Sequence, residues 1–229
     1  MGRHSGERLS PPHPCCLRPP ANNVEPAPEY DAMRMILISL LIAMGLSLTS
    51  VAPVTAGPVE EGKAAYEAED YSTALRLWKQ AAEQGNADAQ YGLGDLYLDG
   101  LGVEQDYAQA LNWYRKAADQ GNAQGQIAIG YLYRLGKGVL QDYVESVKWY
   151  RLAAEQGNAN AQYVLGSNYH AGRGVPQDNV QAHMWLNLAA AQGRFAAGEF
   201  RNGIAADMTP QEIEEAQRLA REWIAAHPK

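Results

Sequence analysis

The chain has 229 residues, 46% of them hydrophobic, with 26 acidic against 19 basic residues, a net charge of −7 and a pI near 5.2. That is material for a sizeable globular domain. An acidic chain with no clustered Lys/Arg patch excludes nucleic acid as its main partner, because phosphate binding needs concentrated positive charge.

Residues 1–32 carry Pro11-Pro12-His13-Pro14-Cys15-Cys16 and Pro19-Pro20 and show no periodicity. Met33-Arg34-Met35 then opens an uncharged run, Ile36 to Leu48, and small residues follow, ending Val54-Thr55-Ala56-Gly57. A short basic start, a short apolar core and a V-x-A site make the pattern of a secretory signal peptide over 33–56, cleaved after Ala56. A membrane span would need about 20 apolar residues, so retention as an anchor is the lesser reading. The expectation is a periplasmic or secreted protein that meets a membrane only through this segment before cleavage. A signal that begins at Met33 also predicts that residues 1–32 are an over-extended gene start without fixed structure. Both cysteines, Cys15 and Cys16, precede the cleavage point. The processed chain would then hold together by packing alone.

Residues 57–86 read as a degenerate half-repeat that caps an array. Asp70-Tyr71 and Ala74-Leu75 match Asp106-Tyr107 and Ala110-Leu111, and a short charged first helix is expected over about Glu60–Ala68. Three ungapped segments of 36 residues follow, Ala87–Asn122, Ala123–Asn158 and Ala159–Arg194. Fourteen columns hold one residue in all three, among them Gln90/Gln126/Gln162, Gly94/Gly130/Gly166, Tyr97/Tyr133/Tyr169, Asp106/Asp142/Asp178 and Trp113/Trp149/Trp185. So many shared columns at one period are the signature of a helical-repeat solenoid, which works by presenting a surface.

In Ala87–Asn122, Ala89, Leu93 and Tyr97 are spaced i, i+4, i+8 and make one helix face. Gly94 beside it lets a neighbouring helix approach closely, which offsets a propensity cost of about 1 kcal/mol. Gly100 and Gly102 end this first helix. Asp106 caps a second, with Gln109 as the other half of a capping-box-like pair, repeated by Asp142 with Glu145 and Asp178 with Gln181. Ala110, Trp113, Tyr114, Ala117 and Ala118 give the second helix its apolar face, Gly121 stops it and Asn122 caps the next helix. The recurring tryptophans are expected in the stacked core. Past Arg194 the period breaks. Phe195–Ala206 keeps helical apolar spacing, and Thr209-Pro210-Gln211-Glu212 opens a closing helix, Pro210–Ala226, with Glu214 and Glu215 on its wet face.

These residues resemble the Sel-one-like repeat (SLR), a relative of the tetratricopeptide repeat. The likeness covers about 60–194 and rests on G-x-G-V-x-Q-D and W-Y-R-x-A-A-x-Q-G-N, which recur almost verbatim. The resemblance implies an all-α fold, an α/α superhelical solenoid of antiparallel helix pairs closed by the C-terminal helices in 195–229. It also implies an adaptor or regulator acting through protein–protein contacts, often in the bacterial periplasm. The last copy departs from the pattern at Asn179, Met184, Leu186 and Asn187, which suits a terminal position.

A search for chemistry finds little. Ser72, Ser146 and Ser167 lie in no S-x-x-K or G-x-S-x-G context, which disfavours an acyl-transfer enzyme of β-lactamase type. Gly136-Lys137 lacks the rest of a phosphate loop. His170, on a helix face expected to be exposed, His183, on an interior side, and His227 lack metal-ligand spacing. The sequence therefore predicts a non-catalytic chain with no cofactor and no metal.

Specificity should lie where the copies differ and stay exposed. Positions 2, 5, 9 and 12 of the first helices point away from the inward face: Asp88, Tyr91, Asp95 and Leu98, then Gln124, Ile127, Tyr131 and Arg134, then Asn160, Tyr163, Ser167 and His170. The expectation is a concave partner-binding face built from Asp88, Tyr91, Asp95, Ile127, Tyr131, Arg134, Tyr163, Ser167 and His170, acidic at one end, that holds an extended peptide or a helix. A glycan or peptidoglycan module, with tyrosines such as Tyr91, Tyr131 and Tyr163 stacking on sugars, is the alternative.

Overall fold

The computed structural model describes residues 57–228, so residues 1–32, the expected signal segment 33–56 and both cysteines lie outside the described residues. Within them the chain forms ten helices and no strand: α1 (Pro58–Glu67), α2 (Tyr71–Glu83), α3 (Ala87–Asp99), α4 (Tyr107–Asp119), α5 (Ala123–Leu135), α6 (Tyr143–Glu155), α7 (Ala159–Ala171), α8 (Asn179–Ala191), α9 (Phe195–Ala205) and α10 (Pro210–Ala226). Each odd-numbered helix up to α7 packs against the next helix, and each pair then packs on the pair that follows. The result is an all-α solenoid. The first helix of the half-repeat is Pro58–Glu67, two residues earlier than its charge pattern suggested, with Pro58 at its first position.

The shared columns are structural. Asn86, Asn122 and Asn158 cap the first helices, each side chain accepting from a backbone N–H. Asp106, Asp142 and Asp178 cap the second helices in the same way. The expected return half of that box is missing. Glu145 instead accepts from Lys148 at 2.7 Å, and Asp142 N–H donates to the Tyr133 carbonyl, which leaves nothing for Glu145 to satisfy. Among the described helices the full box forms only at α10, where Thr209 and Glu212 bond reciprocally.

Gly94 earns its place against Tyr114, the largest of the fully buried side chains. A Cβ at Gly94 would land in the Tyr114 ring, and at Gly130 it would meet Tyr150 and the Ser146 carbonyl at 3.1 Å. Gly102 has positive φ, and a Cβ there would lie 2.9 Å from the backbone of Tyr71 in the preceding pair, so the turn is pinned to its neighbour.

The shared glutamines form a hydrogen-bonded ladder in which Gln90, Gln126 and Gln162 are buried and Gln120, Gln156 and Gln192 are exposed. Gln90 and Gln162 donate to the carbonyls of Ala82 and Ala154 at 3.1 Å, reaching back to the previous pair. Gln120, Gln156 and Gln192 donate at 2.8 Å to Gln90, Gln126 and Gln162. A buried amide must find partners, and this arrangement couples adjacent pairs while doing so.

The tryptophan expectation needs correction. Trp113 and Trp149 are only half-buried; each lies against the apolar cluster of the preceding pair, and the Lys116 ammonium sits 3.7 Å from the Trp113 ring centre. The deep position is the next one, Tyr114 and Tyr150, because it is the one that faces the glycine. Of the three tryptophans in this column only Trp185 is buried.

The C-terminal end is built differently. Both α9 and α10 pack on α8, and α8 buries residues all round: Ala182, His183, Met184, Trp185, Leu186, Leu188 and Ala189. This explains why the last copy departs from the repeat. Leu186 replaces the tyrosine, and Trp185 meets Trp223 of α10 edge-on at 6.2 Å. Arg194 stands where the other copies have their capping asparagine, and α9 starts with no side-chain cap.

Candidate partner-binding face

Of the residues expected to build the partner-binding face on α3, α5 and α7, only Asp88 is exposed; Tyr91, Asp95, Ile127, Tyr131, Arg134, Tyr163, Ser167 and His170 are half-buried, because these helices also pack on their neighbours. Each of the three helices presents a distinct polar set, held by the same frame.

On α3, Asp88 is exposed and accepts from Asn122 at 2.8 Å. Asp95 is not the free acid that the pattern suggested. Its carboxylate accepts from the Tyr114 hydroxyl at 2.6 Å and from Tyr91, whose ring lies 5.8 Å from that of Tyr114. Burial pushes its pKa up to about 6, against the two tyrosine hydrogen bonds, which favour the charged form. Burial and the Asp95 charge raise the Tyr114 hydroxyl well above its ordinary value. The exposed acids of this helix are Asp88 and Asp99.

On α5, Ile127 is half-buried against the C-terminal apolar cluster, and Tyr131 takes the place of Asp95. Arg134 lies 5.2 Å from the Tyr131 ring centre and bonds the Tyr150 hydroxyl, whose pKa burial lifts to about 12 against the pull of that guanidinium. The deep tyrosine is thus tied by an acid in one copy and by a base in the next. On α7, Tyr163 lies 4.4 Å from the Arg194 guanidinium and 6.3 Å from Phe200 of α9. His170 is half-buried, not exposed: its Nδ1 is 3.0 Å from Asn179 Oδ1 and its ring lies edge-on to Phe200. Ser167 is half-buried between them in sequence.

Spacing alone missed Tyr114 and Arg194. Tyr114 looked like ordinary apolar lining, and only the fold turns its hydroxyl onto Asp95. Arg194 was legible as a departure from the Asn that ends every other copy, but its seat over Tyr163, and its bond to Asn160, required the structure. The three tyrosines considered for sugar stacking are engaged already, Tyr91 by Tyr114 and the other two by guanidinium groups.

Among the described residues no cluster of three or more His, Cys, Asp or Glu is placed to hold a metal. His183, buried in α8, has a pKa lowered by burial and by Arg201, and its Nδ1 has no protein partner. No described helix is long and apolar enough to cross a membrane.

A stacked array of helix pairs built on shared caps, glycine contacts and glutamines is a helical-repeat solenoid. The Sel1 repeat profile matches residues 59–86, 87–122, 123–158 and 159–193, and the chain belongs to the Sel1 repeat family. Proteins of this family are generally non-catalytic protein-interaction scaffolds. Among solved structures, a Sel1 repeat protein from Oxalobacter formigenes is 39% identical over 58% of this chain and 39% of its own, with a TM-score of 0.54. The protective antigen c5321 of uropathogenic Escherichia coli, which displays an SLR fold, is 28% identical over 86% of this chain and 46% of its own, with a TM-score of 0.65. The chain therefore spans less than half the length of either. No curated protein is significantly similar in sequence.

Proposed function

We propose that this chain is a non-catalytic scaffold of the bacterial cell envelope, exported by its N-terminal segment, which holds another protein on the concave face formed by α3, α5 and α7. The observation that carries this reading is a division of labour. Columns shared by the copies are consumed by caps, glycine contacts and the glutamine ladder, whereas positions 2, 5, 9 and 12 of α3, α5 and α7 carry a different set of side chains in each copy. A frame that is kept while one face varies is what a binding solenoid requires.

The test is site-specific photo-crosslinking of the full chain in its native envelope. A crosslinker at Gln124 or Leu135, exposed on α5, should capture a discrete protein; one at Lys116 or Glu155, exposed on the second helices, should not. Equal capture from both sides would overturn the assignment of the face. Cleavage after Ala56 is checked separately by N-terminal sequencing of the exported protein.

A further inference from the structure

The face is electrically divided. The exposed acids of α3, Asp88 and Asp99, have no ion-pair partner among the described residues, and Asp95 adds a third carboxyl group to the same helix. The next two rungs carry the opposite sign. Arg134 on α5 and Arg194 at the start of α9 each lie against a tyrosine of the face, Tyr131 and Tyr163, and each bonds a neutral oxygen, that of Tyr150 and that of Asn160. Neither forms an ion pair among the described residues, and the Nε of Arg194 is buried with no acceptor. A guanidinium has five N–H donors and a fixed charge, so one neutral acceptor leaves most of its capacity unused. Tyrosine contact also holds the fork in place, so little side-chain freedom remains to be lost on binding. In a chain of net charge −7, two such cations on one face and none of them neutralised is an arrangement that an acidic ligand would complete.

The spacing defines the ligand further. Arg194 bonds Asn160, the second residue of α7, and Arg134 is the twelfth residue of α5. Ten residues along a helix are about 15 Å, and stacked helices lie about 10 Å apart. The two guanidinium groups are therefore roughly 18 Å apart, which an extended chain at about 3.3 Å per residue crosses in five or six residues.

We propose that the partner engages this face through an extended segment with two carboxylate side chains five or six residues apart, one on Arg134 and one on Arg194. The basic end of that segment lies toward Asp88 and Asp99. This rests on the reading of the face as the binding surface and adds the chemistry and direction of what it binds.

The test uses a displayed library of random twelve-residue peptides selected on the full chain. Wild-type protein should enrich Asp or Glu at two positions five or six apart. Arg134→Gln, which can still bond Tyr150, should lose the preference at one position with at least a ten-fold drop in affinity for a selected peptide. Arg194→Asn should lose the other; this variant restores the capping residue of the other copies, so it should fold at least as well, as a thermal melt will record. Arg134→Glu should select Lys or Arg instead. Peptides that bind this face, by loss on Tyr131→Ala, yet show no acidic preference would overturn the proposal and leave the face assignment standing. Selected peptides indifferent to Tyr131, or no enrichment at all, would overturn both.

Discussion

The first full copy and the C-terminal end each bury an acid or base, Asp95 and His183, and they do so with opposite consequences. In Ala87–Asn122, Asp95 sits under Tyr91 and Tyr114, and burial raises its pKa to about 6. At the C-terminal end, His183 occupies the column of Leu111 and Val147, inside a helix wrapped by α7, α9 and α10, and burial lowers its pKa. Both groups are held toward the neutral form. The carboxylic acid reaches that form by gaining a proton and the imidazole by losing one, so one repeat frame has produced two ends that respond to acid in opposite directions.

The sharpest way to break the comparison is at the frame itself. Gly94→Ala should destabilise the chain by about 2–3 kcal/mol, because the added Cβ meets a tyrosine that is fully buried and anchored by Asp95. Gly130→Ala has 3.1 Å of clearance to Tyr150 and recovers helix propensity, so its cost should be under about 1 kcal/mol. Equal urea midpoints for the two variants would show that the deep tyrosines are interchangeable. Tyr114→Phe should come next, at about 2 kcal/mol, since it removes a donor from a buried carboxylate. Tyr150→Phe should cost about 1 kcal/mol, because Arg134 keeps access to water.

The pH comparison follows. The folded pKa of Asp95 exceeds its unfolded value, so its contribution to stability is complete below about pH 4 and disappears as pH rises through about 6. The folded pKa of His183 lies below its ordinary value, so its contribution is present above about pH 6.5 and is lost as pH falls below that. Amide exchange at pH 7 and pH 5 should therefore slow in α3 and α4 and quicken in α8 and α9 on acidification. Asp95→Asn should abolish the first change and raise stability at pH 7 by about 1–2 kcal/mol, given 1.4 kcal/mol per pKa unit. Exchange that moves the same way at both ends would refute the pairing. The smallest expected effect is that of Arg194→Asn, which should stabilise by about 0.5–1 kcal/mol by supplying the missing cap of α9, read from the thermal midpoint.

Much of this was legible in the sequence because the repeat prints its constraints in fixed columns. Caps at Asn122 and Asp106, the helix stops, the close approach at Gly94 and the closing helix at Pro210 are all local in origin or set by a missing side chain, so period and residue type suffice to place them. The same periodicity put Asp95, Arg134 and the tyrosines on faces expected to be exposed, where the fold half-buries them. What spacing does not encode is which atoms meet. Asp95 and Arg134 both scored as exposed variable residues, yet one is bonded to two tyrosine hydroxyls and the other stands against a ring with donors to spare. The Trp113 column looked like the core because tryptophan is large and recurrent, but depth belongs to Tyr114, because only that position faces a glycine.

The sequence by itself determined that this protein is a solenoid of helix pairs, since each helix carries an apolar face that only a stacked neighbour can cover. It determined also where the array stops, through the lost tyrosine at Leu186 and the lost cap at Arg194. The tertiary structure alone decided which side chains are spent in holding the stack and which remain for a partner. That distinction depends on contacts between different helices, 19 to 34 residues apart in the chain, such as Tyr114 on Asp95, Arg194 on Asn160 and Gln120 on Gln90, and no pattern within one helix specifies them.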